Sequence, residues 1–93
     1  MGEVLGRQVL RSGTSIGANY REALRASSKR HFTTSIEIVL RETDETLYWL
    51  ELLQDSNAVK PTRLAPLIAE CRELVAIFAA TVRTSKGRSK QPV

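Results

Sequence analysis

The sequence predicts an all-α fold, an antiparallel up-and-down bundle of three helices. Pro and Gly are sparse, at three and five of 93 residues, so little punctuates the chain. Apolar residues recur at three- and four-residue spacing through three long stretches, the mark of amphipathic helices. No stretch alternates apolar and polar residues between turn dipeptides, as hairpins do. Ninety-three residues make one domain, which we divide into a helical bundle over 1–84 and a disordered basic tail over 85–93. With only 5% aromatic residues, one small core supplies marginal stability, and oligomerisation is a natural supplement.

The first helix is expected from Glu3 to Ala26. Leu5, Val9, Ile16, Tyr20, Ala23 and Leu24 share an arc of about 100°, the core stripe. Gly6, Gly13 and Gly17 lie beside it. Each costs a helix about 1 kcal/mol relative to alanine. Gly13 and Gly17, four apart, would let another helix backbone approach closely. The segment SGTSIGAN can also be read as a break, but the apolar phase resumes correctly at Ile16 and Tyr20. On the opposite face, a helix continued through Lys29 would align Arg7, Arg11, Arg21, Arg25 and Lys29. That stripe reads either as a phosphate-tracking surface or as a solvated helix face.

Ser27 and Ser28 are N-cap candidates for a second helix over Lys29–Gln54, and the short link implies an antiparallel hairpin. Its core face is Phe32, Ile36, Val39, Leu40, Thr43, Thr46, Leu47, Leu50 and Leu53. A second apolar patch, Ile38, Trp49 and Leu52 with Tyr48 at its edge, projects roughly opposite and reads as a contact surface, since large apolar patches holding a Trp mark such surfaces. Another helix of the same chain is the alternative occupant, though the chain has few to offer. DSNAVKP is a polar loop. A third helix follows, beginning between Thr62 and Pro66, with Pro66 in its first turn, and ending near Thr84. Its core stripe is Leu64, Leu67, Ile68, Cys71, Leu74, Val75, Phe78 and Val82; Ala65, Ala69, Ala76 and Ala80 form an adjoining seam suited to a second neighbour.

The net charge is +4, unevenly spread. Residues 1–30 hold six basic residues against two acidic, residues 31–60 two against six, and the tail from Arg83 adds Arg83, Lys86, Arg88 and Lys90. A basic helix thus precedes an acidic one, and in an oligomer the two could pair between subunits.

Catalysis is not expected. No Gly-rich phosphate loop follows a strand, and no nucleophile has an identifiable base. Cys71 and His31 are each alone, so neither metal nor cofactor is expected. The carboxylates of the second helix lack the Glu-x-x-His partners of bundle metal sites. No apolar run reaches about 18 residues, and MGEVLGRQVL lacks the order of a signal peptide. A cytoplasmic protein without a membrane partner is expected.

Leu10–Asn19, Glu22 with Ala23, Ser28–Phe32 and, more loosely, Glu42–Leu50 resemble the bacterial four-helix-bundle family named for the intervening sequences of 23S rRNA. The chain is also similar to the accessory proteins of diversity-generating retroelements. The resemblance covers about half of the sequence and implies a homo-oligomer, pentameric by analogy, with RNA or DNA as a candidate partner; it carries over no catalytic residue. Family members generally place a helix before the Leu-Arg-Ser-Gly segment, where this sequence has about nine residues, so either the chain is a truncation or its fold uses three helices. A missing helix would leave apolar surface uncovered, which fits the patch around Trp49. Two functions follow: a non-catalytic self-associating bundle that binds nucleic acid, or a protein–protein interaction module that does not.

Overall fold

The structure, a computed structural model, describes residues 2–90, with side chains through residue 87. It consists of α1 (Gly2–Leu24), α2 (Lys29–Asp55) and α3 (Pro61–Lys90). The all-α expectation holds.

α1 is continuous through Gly13 and Gly17, so SGTSIGAN is helix rather than a break. Its end tightens through hydrogen bonds from the Arg25 and Ala26 N–H groups to the Glu22 and Ala23 carbonyls, and the chain reverses over residues 25–28. Ser28, not Ser27, caps α2: its backbone is extended and its hydroxyl accepts the His31 N–H at 3.0 Å, filling one of the orphan donors at a helix start. α2 closes with the Ser56 N–H on the Leu52 carbonyl at 2.9 Å. Asn57 then takes φ 60, the left-handed conformation that asparagine tolerates better than most residues.

Two boundaries of α3 differ from expectation. It starts at Pro61, where a missing N–H costs nothing, which leaves Pro66 inside the helix beyond the first turn. It also runs past Thr84 to Lys90, over much of the segment expected as a disordered tail. Lys, Arg and Ser do not break a helix, and here the start of α2 supplies partners. Ser85 is buried against the Thr33 hydroxyl, and Lys86 Nζ lies 2.7 Å from Glu37 Oε2. Residues 91–93 of the expected tail lie outside the described residues.

α1 and α3 each pack along α2, and their backbones stay apart from one another. The principal extents are 52 × 19 × 15 Å. Leu5 of α1, Leu50 and Leu53 of α2, and Leu64, Ile68 and Cys71 of α3 form one buried cluster near the α2–α3 loop. Toward the other end α1 and α3 meet only through side chains, Tyr20 and Phe78, with ring centroids 6.0 Å apart. The α1–α2 seam is polar as well as apolar: Ser12 is fully buried, its hydroxyl 2.7 Å from that of Thr46 and donating to the Gln8 carbonyl at 2.9 Å.

Candidate functional site

The five basic residues do not form a single helix face. Arg7, Arg11 and Arg21 are exposed on α1, but that helix stops at Leu24, so Arg25 lies in the turn and Lys29 opens α2. Arg11 is also spoken for, its guanidinium contacting the Glu45 carboxylate of α2 and, at 3.1 Å, Gln8 Oε1. Among the described residues Arg7, Arg21, Arg25 and Lys29 make no ion pair. Glu45 accepts a second donor, the Trp49 indole N–H at 3.3 Å. That hydrogen bond, and then the one from Arg11, hold its carboxyl below the ordinary carboxylate value.

The patch expected opposite the α2 core face is half-covered by the chain itself. Trp49 and Leu52 pack against the buried cluster, because α2 lies between two neighbours and buries two faces. Ile38 is half-buried as well. Tyr48 remains outside, 54% exposed and edge-on to Trp49 with centroids 5.0 Å apart.

Uncovered apolar surface lies elsewhere. The gap between α1 and α3 forms a trough over α2. Leu24 (65% exposed), Leu10 (69%) and Tyr20 are bare on α1, and Leu67 and Leu74 on α3. Tyr20 meets Phe78 of α3, and helical spacing sets Leu10 and Leu24 within about 80° of Tyr20, and Leu67 and Leu74 within about 40° of Phe78. Gly13 and Gly17 fall on the same wall, and a Cβ added at either would meet nothing within 4 Å. Tyr20, Leu24, Leu67 and Leu74 were expected as core and are exposed instead, because α1 and α3 both pack on α2 and not along one another; Leu10 lay outside the expected stripe. The alanine seam of α3 faces solvent, with Ala65, Ala69, Ala76 and Ala80 all exposed.

Chemical groups are few. Cys71 is buried, its thiol donating to the Thr43 carbonyl at 3.4 Å. Burial, then the charges of Asp44 and Glu51, push its pKa up, the reverse of an activated thiol. His31 Nε2 lies 3.6 Å from Glu22 Oε1 at the surface. Among the described residues no three His, Cys, Asp or Glu side chains converge as a metal site, and no helix is long and apolar enough to cross a membrane.

Residues 3–80 match the family described as 23S rRNA-intervening sequence protein. The chain belongs to that family. Among solved structures it is similar to a protein of unknown function from the S23 ribosomal protein family of Bacteroides thetaiotaomicron, at 38% identity and a TM-score of 0.81. The match covers 86% of this chain and 74% of that one. No curated protein matches. The intervening-sequence family thus accounts for the helical fold and assigns no activity to this chain.

Proposed function

We propose that the chain is a non-catalytic cytoplasmic module that self-associates by burying its trough against further copies, and that its exposed cations hold RNA or DNA. The trough carries this reading. Leu10, Tyr20, Leu24, Leu67 and Leu74 are each at least 40% exposed on one side of a small bundle, and apolar surface of this kind favours association at about 25 cal/mol per Å² removed from water. The close approach allowed at Gly13 and Gly17 suits a helix as the occupant. By family resemblance the assembly is a pentamer. Arg21, Arg25 and Lys29, exposed and without an ion pair among the described residues, support the nucleic-acid half of the proposal.

Light-scattering mass of the purified chain, compared with a Leu24→Glu/Leu74→Glu variant, tests self-association. A multimeric mass that falls to one chain in the variant is expected; a monomeric wild type removes this half of the reading. The alternative, a protein-interaction module without nucleic acid, draws support from Arg11, whose charge is used within the chain by Glu45. It gains if anisotropy titrations with RNA and DNA show no binding at low salt.

A further inference from the structure

The antiparallel order of the helices gathers charge that the linear sequence disperses. The end of α1, the turn after it and the first turns of α2 lie beside the C-terminal part of α3. Lys86 is 2.7 Å from Glu37 across α3 and α2, Thr33 meets Ser85, and His31 reaches back to Glu22 of α1 at 3.6 Å. This end, residues 21–37 and 77–87, carries Arg21, Arg25, Lys29, Arg30, Arg83 and Lys86 against two carboxylates, Glu22 and Glu37. The rest of the bundle, residues 2–20 and 38–76, carries six basic residues and eight acidic. The positive surplus therefore sits at one end of a molecule 52 Å long.

All six cations are exposed. Arg21, Arg25, Lys29, Arg30 and Arg83 make no ion pair among the described residues. The first turn of α2 holds no acidic residue, so Lys29 and Arg30 stand at the positive pole of the helix dipole, where cations are disfavoured. Like charges held together against both effects are relieved when an external polyanion approaches. Scale fits as well. Duplex nucleic acid presents one phosphate charge per about 3.4 Å along each strand, so a molecule 19 Å across its second axis spans several phosphates of one strand. The surface is also furrowed: an open cleft of about 640 Å³, with Lys29 on its rim and Phe32 and Ile77 on its walls, lies between α2 and α3.

We propose that this cationic end, built from two separate segments, grips the phosphate backbone of RNA or DNA, and that the N-terminal half of α1 does not. The proposal rests on the nucleic-acid reading above and names the surface responsible. Arg30 and Arg83 distinguish the two surfaces, because they belong to the end and not to α1. Arg7 belongs only to the N-terminal half of α1.

The test is a fluorescence-anisotropy titration of a labelled RNA hairpin and a labelled DNA duplex at several salt concentrations, with circular dichroism confirming equal helicity. Arg30→Glu/Arg83→Glu should weaken binding roughly tenfold or more and reduce the salt slope by about 2, one for each phosphate that is no longer neutralised. Arg7→Glu should change affinity less than about twofold, and Glu37→Gln, which removes a carboxylate from the end, should tighten binding. If Arg7→Glu is the damaging change and the double variant binds normally, the end is wrong while nucleic-acid binding stands. If the wild type binds neither probe at low salt, both fail together.

Discussion

Glu45 is held by two side-chain donors, one from its own helix and one from α1. The Trp49 indole and then the Arg11 guanidinium bond its carboxylate, linking α1 to α2 near the buried cluster. A carboxyl whose folded pKa lies below its unfolded value binds fewer protons when folded. Its contribution to stability is therefore complete above the unfolded value, about 4.3 for Glu, and is lost as pH falls through the depressed one. Glu45→Gln should lower the urea midpoint at pH 7, and the difference from wild type should shrink as the pH is taken below the carboxylate range. A constant gap across that range would mean that the charge contributes nothing. The sequence offered no view of this link, since it joins residues 34 apart. Nor did it show Ser12 as core. Apolar patterning overlooks a hydroxyl that satisfies itself on a carbonyl one turn back and on a partner hydroxyl. Because Ser12 is fully buried in a close seam, Ser12→Leu should overpack it and cost about 1–3 kcal/mol, read from chemical denaturation.

At the level of the helices, the sequence disclosed what periodicity and caps encode. The Ser28 cap, the unbroken α1 and the core face of α2 through Ile36, Val39, Thr43 and Leu50 followed from local chemistry. The limits of α3 did not. Its last turns are polar and hold by tertiary partners, the Ser85–Thr33 contact and the Lys86–Glu37 pair, which no local pattern announces. Pro66, read as a first-turn residue, sits where its ring displaces the hydrogen bond that residue 66 would give to the Thr62 carbonyl. Pro66→Ala should restore that bond and raise stability by up to about 3 kcal/mol, seen as a higher thermal midpoint. Lower stability would mean that the proline sets a bend which the core requires.

At the scale of the molecule, the three helices form an elongated body with a radius of gyration of 15.3 Å, against about 12 Å for a compact domain of this length. That difference follows from the arrangement: helices of 23, 27 and 30 residues lie side by side, α1 and α3 each packed on α2 and apart from one another. It also decides which apolar residues work inside the chain and which face outward, something the sequence could pose but not answer. Read as patterns, the patch around Trp49 was the contact surface, and Tyr20, Leu24, Leu67 and Leu74 belonged to core stripes. In three dimensions Trp49 packs on the chain's own buried cluster and bonds Glu45, whereas Leu24 and Leu74 look out between two helices. Substitutions at the two places should therefore separate folding from assembly. Trp49→Ala should cost about 2 kcal/mol of stability, below the 3–5 kcal/mol of a fully enclosed aromatic because the ring is only half-buried, with the light-scattering mass unchanged at protein concentrations where the variant stays folded. Leu24→Glu/Leu74→Glu should leave the helicity and the intrinsic stability of the single chain nearly intact while lowering the mass. The opposite pattern, a mass that falls with Trp49→Ala and holds in the trough variant, would place the assembly surface on the outer face of α2 and make the trough a solvated groove.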